Sequence, residues 1–350
     1  MLCSIYISAF SCTEEEHVMI EVSHITKTFQ VARRSAGLKE AMKAFVHREY
    51  QEVKALDDIS FTIEDGEMVG YIGPNGAGKS STIKVLSGIL TPDGGNCLIN
   101  GRVPWKERVR HVKEIGVVFG QRSQLWWDVP IMDSFELIKD IYQVEEKAYK
   151  KNLEELTELL DLKDILRTPA RQLSLGQRMR CEIGASLLHN PRILFLDEPT
   201  IGLDAVSKIA VRNFILERNR DHGTTVILTT HDMQDIEALT QRILLIGKGK
   251  ILLDGRLEEV RERFSRDKLI TVQYSGKKPV LREGMTEALK VRATKESAIE
   301  GILTVAVDTD ILKVSEAIAC LTSQTEISDI SVAGTSLDEV VVQLYKQYEI

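Results

Sequence analysis

The stretch GPNGAGKSSTIK, Gly73–Lys84, decides the reading of the fold. It fits G-x-x-x-x-G-K-[ST] as Gly73, Gly78, Lys79 and Ser80, and it lies between the apolar run MVGYIG and a helix-like pattern. Strand, loop, helix is the context that motif needs. Glycines let consecutive backbone N–H groups turn inward on an anion, and a helix N-terminus favours negative charge. Lys79 is then placed to reach β- and γ-phosphates, and the Ser80 hydroxyl to ligate Mg²⁺. The loop alone says only that phosphate can be held.

Outward from the loop, the 350 residues suffice for one large domain plus a smaller one. A formal net charge of −7 argues against a general nucleic-acid binder. The five cysteines (Cys3, Cys12, Cys97, Cys181, Cys320) form no CxxC pair and are odd in number, which fits reduced thiols in a cytosolic protein. No apolar run approaches the roughly 18–20 residues needed to span a bilayer. The opening MLCSIYISAFSC lacks a basic start and leads into Glu14-Glu15-Glu16, the wrong charge order for a signal peptide. Residues 1–18 read as a poorly structured extension, and Met19 opens the first strand-like segment.

Strand-like runs alternate with helical patterns from about Met19 to Phe264, predicting an α/β domain over residues 19–267. IGVVFG, ILFLDEP and TTVILTTH are short, apolar and β-branched, as buried strands are. CLINGRV carries an Asn100-Gly101 turn, and LLIGKGKILLDG reads as a hairpin about Gly247-Lys248-Gly249. Residues 31–54 form an insertion, and about 125–190 turn helical, with NLEELTELLDL and QRMRCEIGASLLHN amphipathic. The pattern changes near Arg266-Asp267. Residues 268–350 read as a small α+β accessory domain built on LITVQY, LTVAVD, ILKVSEAIACLTS, ISDISVAG and SLDEVVVQLYKQY.

Two companions bear on the chemistry. ILFLDEPT ends a buried strand in a carboxylate, at the sheet edge where α/β ligands sit. Asp197 suits Mg²⁺, and Glu198 suits a base polarising an attacking water. LSLGQRMR, residues 173–180, sets Ser174 before a glycine that opens a helix. An anion contact and an ordinary N-cap fit it equally.

Phosphate loop, LSLGQ and ILFLDEP, in this order and spacing, resemble an ATP-binding cassette (ABC) ATPase over about Met19 to Phe264. LSLGQ would be the family signature, departing from LSGGQ only at Leu175. The resemblance implies a P-loop NTPase fold of ABC type with a helical subdomain, and ATP with Mg²⁺ as ligands. ATP would contact the loop residues Gly73, Pro74, Asn75, Gly76, Ala77, Gly78, Lys79, Ser80 and Ser81. Gln121 in VVFGQRSQLWWD resembles the glutamine that joins the subdomains and touches Mg²⁺. Asp204 in IGLD resembles the acidic member of the loop at the dimer interface, and His231 in TTHDMQD the histidine that senses the γ-phosphate. Glu198, His231 and Lys79 would then be catalytic, and Ser80, Gln121 and Asp197 would hold the metal. The adenine-stacking aromatic is Phe29 or, from the insertion, Tyr50. The family mechanism implies a head-to-tail homodimer in which Ser174, Gly176 and Gln177 act on the ATP of the other copy.

One cassette per chain, without long heptads or zinc-binding cysteines, favours a transporter subunit over a soluble mechanoenzyme acting on nucleic acid or a ribosome. In the insertion, Leu38, Ala41, Met42, Phe45 and Val46 share one helical face amid Arg33, Arg34, Lys39, Lys43 and Arg48. Such a helix suits a membrane surface, a partner helix or its own domain equally. The insertion resembles that of ABC-2-type exporters. The run GQRSQLWWDVP resembles a bacterial exporter subfamily related to daunorubicin-type resistance ATPases, and SLDEVVVQLY resembles their tail. Trp126 and Trp127 would meet polytopic permease subunits at the cytoplasmic face of the membrane.

Overall fold

The computed structural model describes residues 18–32, 50–120, 122–264, 267–275, 289–290, 301–309, 311–334 and 336–350. The amphipathic stretch 33–49, the extension before Val18 and Gln121 lie outside these residues. Two long strands, β1 (Val18–Ala32) and β2 (Tyr50–Glu64), pair antiparallel up to Ala32 opposite Tyr50. Residues 31–32 and 50–54 of the expected insertion are therefore ladder. β3 (Met68–Ile72) leads through the glycine loop into α1 (Lys79–Leu86), and β4 (Gly94–Ile99) joins β1 to complete a three-stranded sheet. Asn100-Gly101 turns tightly, with Ile99 bridging to Arg102.

A short α2 (Arg108–Val112) and β5 (Ile115–Phe119) precede the helical subdomain of α3 (Ile131–Tyr142), α4 (Glu146–Leu159) and α5 (Leu175–Leu187). β6 (Ile193–Asp197), α6 (Ala205–His222), β7 (Thr225–Thr229), α7 (Met233–Leu239), β8 (Arg242–Gly247) and β9 (Lys250–Arg256) follow. The larger sheet runs β5-β6-β7-β3-β8-β9. Its first five strands are parallel and β9 closes antiparallel through a turn with Lys248 and Gly249 both at positive φ. β7 is buried along its whole length, because helices and the small sheet cover both faces of the larger sheet. Parallel register sets Asp197 level with Thr229, so β3, β6 and β7 end at one edge. The phosphate loop, the acidic pair and His231 all leave from that edge.

After α8 (Leu257–Phe264) comes a separate four-stranded antiparallel sheet, ordered β11-β12-β10-β13: β10 (Asp267–Ser275), β11 (Leu289–Lys290), β12 (Ile302–Asp308) and β13 (Glu326–Gly334). It packs with α9 (Val314–Thr322) around Ile270, Val272, Val305 and Leu321. The last helix, α10 (Leu337–Gln347), turns back. Its buried Leu337, Val340, Val341 and Leu344 belong to the core under the larger sheet, beside Leu257 and Val260. Burial of each such side chain contributes about 1.5–3 kcal/mol, enough to keep that helix on the first unit although it follows the second in sequence.

His189, at the end of the helical subdomain, stacks on Tyr142 at 4.0 Å and donates Nε2–H to the Ile115 carbonyl at 2.9 Å. Burial holds its imidazole down at about 4, against an ordinary 6.5. A folded-state value below the unfolded one means stability present above pH 6.5 and lost as pH falls toward 4. Denaturant midpoints measured across that window should fall with acid in the wild type and flatten in His189→Gln.

Candidate nucleotide site

The loop is shaped by what its glycines exclude. Gly78 sits at φ +119°, and a Cβ there would lie 2.6 Å from the Ala55 carbonyl oxygen. A Cβ at Gly73 would meet the Ile246 carbonyl oxygen at 2.2 Å, so the backbone is seated on β8 and β2 with no room for side chains. Gly76, at φ +80°, instead faces open space. Behind the loop the Tyr71 and Thr82 hydroxyls meet at 3.0 Å, and Gly249 N–H donates to the Ala77 carbonyl at 2.9 Å. Lys79 is 7% exposed, and its ammonium donates to the carbonyls of Gly73 (2.6 Å) and Pro74 (3.2 Å). Burial lowers its pKa, against the pull of the Glu198 and Asp197 carboxylates. Asn75 and Ser80 are exposed, and Ser81 is half-buried.

Across the cleft, Asp197 Oδ1 accepts from the Thr229 hydroxyl at 2.6 Å, which orients the carboxylate at the strand end. Glu198 leaves the strand in the left-handed region at φ 57°, although it is not glycine. Such a conformation costs of order 1–3 kcal/mol and persists where surroundings fix it. Here they do: its N–H is held by the Thr229 carbonyl at 2.9 Å, and its Oε1 lies 2.7 Å from His231 Nε2. The two side chains that sequence placed in different motifs thus touch. Ser80, Lys84, Ile89, Phe119, Gly120, Arg122, Asp197 and Glu198 line a cavity of about 250 Å³. Gln121 lies outside the described residues, but both its neighbours line this cavity.

The donor set fits a nucleotide with a divalent cation. Ser80 and Asp197 offer oxygen ligands to the same cavity, while Lys79 and the loop amides offer positive charge. Phe29 is 38% exposed and pairs with Val53, two residues from the Ala55 that abuts the loop. Tyr50, five residues from Ala55, stands at the end of the described ladder opposite Ala32. At about 3.3 Å per residue that puts Tyr50 roughly 10 Å farther along the strand than Phe29's partner.

LSLGQ behaves differently. Ser174 caps α5 through a full capping box: its Oγ accepts from Gln177 N–H at 3.2 Å, and its own N–H donates to Gln177 Oε1 at 2.9 Å. The N-cap reading is thus realised, and it leaves Ser174 exposed. Gly176 is buried, and a Cβ there would lie 2.7 Å from Ser207 Oγ. Leu175, the departure from LSGGQ, rests against Gly202, where a Cβ would be 2.5 Å from its Cδ2. Asp204 caps α6, accepting from the Ser207 N–H and hydroxyl at 2.9 Å each, and these bonds lower its pKa. None of Ser174, Gly176, Gln177 and Asp204 lines the 250 Å³ cavity of its own chain.

The ABC transporter family model matches residues 56–201, from within β2 to just past Glu198. The linearmycin resistance ATP-binding protein LnrL of Bacillus subtilis is 33% identical over 66% of this chain and 74% of its own length. The chain belongs to the ABC transporter ATP-binding family. The daunorubicin resistance ATP-binding protein DrrA3 of Streptomyces coeruleorubidus is 32% identical, over 64% of this cassette chain and 71% of its own. A methionine import ATP-binding protein of Latilactobacillus sakei matches at 33% over 64% and 66%. Similarity therefore reaches both resistance and import ATPases. Among solved structures, the dimeric post-hydrolysis state of the cassette MJ0796, bound to ADP and Pi, aligns with a TM-score of 0.57. It is 24% identical, covers 68% of this chain and 99% of that one, and supports the fold alone.

The cassette also holds a residue that the sequence reading passed over. Asp235 is fully buried and accepts from the Thr200 and Thr230 hydroxyls and from the Arg212 guanidinium. It thereby fixes the loop after Glu198 to the loop carrying His231. The available signal was an acid between Met233, Ile236 and Leu239, the buried face of α7.

Proposed function

We propose that this chain is the ATP-hydrolysing subunit of an ABC-2-type exporter, working as a homodimer against permease subunits at the cytoplasmic face of the membrane. The observation that carries the dimer is the split geometry. Lys79, Ser80, Asp197, Glu198 and His231 gather at one sheet edge, while none of Ser174, Gly176 and Gln177 lines the cavity of its own chain. A second copy supplies what the cleft lacks. ATP would be held by Gly73 to Ser81 and by Phe29, with Mg²⁺ on Ser80, Gln121 and Asp197; the ion neutralises phosphate charge. Glu198 accepts hydrogen bonding from a water, and His231, in contact with it, holds that carboxylate in place. Since the signature comes from the other copy, hydrolysis depends on closure.

Export rather than import is supported by the matches to resistance ATP-binding proteins, by the sequence inserted between β1 and β2, and by Trp126 and Trp127. These indoles are 40% and 51% exposed on the segment that follows Gln121. Among the described residues no helix is long and apolar enough to cross a membrane, so a membrane role runs through partners. Purification of the chain from its native membranes should bring down a multi-span protein, with Trp126 or Trp127 crosslinking to it. ATPase activity stimulated by DNA or ribosomes, without membrane association, would instead make it a soluble mechanoenzyme.

A further inference from the structure

Glu182 stands two turns into α5, the helix that begins at the signature, and is 5% exposed. A carboxylate so placed must be fully hydrogen-bonded or protonated. Its partners all come from the segment that follows Gln121. Oε1 accepts from the Ser123 hydroxyl and Oε2 from the Gln124 N–H at 3.1 Å. The Gln124 side-chain amide donates to the Glu182 carbonyl at 3.0 Å, and Leu125 N–H donates to Ser123 Oγ at 3.1 Å. Burial pushes the Glu182 carboxyl up, opposed by these bonds and by Arg178.

The stitching continues along the segment. Trp126 N–H donates to Ser134 Oγ at 3.2 Å, the Trp127 carbonyl accepts from Arg171 N–H at 3.1 Å, and the Arg178 guanidinium lies 5.4 Å from the Trp127 ring. Residues 123–127 are thus fastened to the helical subdomain, whereas Gly120 N–H is bonded to the Asp197 carbonyl at 2.8 Å. The change of attachment falls between Gly120 and Ser123, next to the ATP cleft.

We propose that Glu182 is a positioning residue that locks the segment after Gln121 to the signature helix, so that the two move as one body when the ATP site closes. The inference rests on the composite-site reading above. A merely structural pin would affect folding and nothing else. A lock between the two halves of the cycle acts on turnover: ATP still binds the phosphate loop, but the signature no longer follows the nucleotide-facing segment. Removing the carboxylate should therefore leave affinity intact and lower kcat.

The test uses the full chain with ATP titrated by fluorescence and hydrolysis measured at steady state. Glu182→Ala should lower kcat about tenfold or more while the affinity for ATP changes by less than about twofold. Glu182→Gln, equal in volume and able to accept from Ser123, should fall between Ala and wild type and remain folded. Ser123→Ala should lower kcat by itself yet add nothing to Glu182→Ala, since both act on one bond. Wild-type turnover in a folded Glu182→Gln with an undiminished Ser123→Ala would overturn the lock, as would parallel loss of affinity and kcat. If the wild type itself neither hydrolyses ATP nor dimerises, the composite-site reading fails first, and the two failures are told apart.

Discussion

Glu198→Gln is expected to lower ATP turnover by about 10²–10⁴-fold, the range for loss of a general base, while ATP binding persists. The substitution keeps the size of the side chain and an oxygen that can still meet His231 Nε2, now 2.7 Å from Oε1. The left-handed backbone at φ 57° is set by the Thr229 carbonyl and the loop, so the amide should occupy the place of the carboxylate. What goes is the proton-accepting charge facing the cleft. Single-turnover hydrolysis separates this from an effect on binding. Wild-type rates in the variant would remove Glu198 as the base.

The second large effect concerns the division of the site between copies. Lys79→Ala removes the loop ammonium proposed to meet phosphate, and Ser174→Arg fills the position proposed to act on the other copy's ATP, so each variant alone should be nearly inactive. In a mixed dimer, the Lys79→Ala loop faces the Ser174→Arg signature, and the other site is intact. Random pairing of equal amounts makes about half of the dimers mixed, each with one good site of two, so about a quarter of wild-type activity should return if sites act independently. A smaller return indicates that both sites must be intact together. Recovery exceeding the separate variants cannot arise if every chain completes its own site, because each single chain then carries a disabling lesion.

Much of this was legible in local pattern. The loop glycines declared themselves because only glycine fits at Gly73 and Gly78. The carboxyl edge was legible because ILFLDEP and TTVILTTH are too apolar for anything but buried parallel strands, and the turn at Lys248-Gly249 followed from its hairpin pattern. Long-range choices were not legible. Nothing in SLDEVVVQLY says that its Leu337, Val340, Val341 and Leu344 prefer the first unit's core to the adjacent sheet; that depends on which surface is left uncovered. Nor does spacing show that Glu198 and His231 touch, or that Asp235 joins Thr200, Thr230 and Arg212, since these pairings cross between strands. The capping box at Ser174 shows why sequence alone could not separate a cap from an anion contact. The same residue makes the cap and remains exposed, so the cap leaves it free to meet an anion.

The proposed dimer consists of two copies that ATP joins across their clefts. Its most direct measurement is the mass of the Glu198→Gln chain in solution by sedimentation, with and without ATP and Mg²⁺. A species twice the 39.4 kDa chain should form only with ATP and be lost when Lys79→Ala or Ser174→Arg is added. A chain that binds ATP with full occupancy yet stays at monomer mass would contradict it.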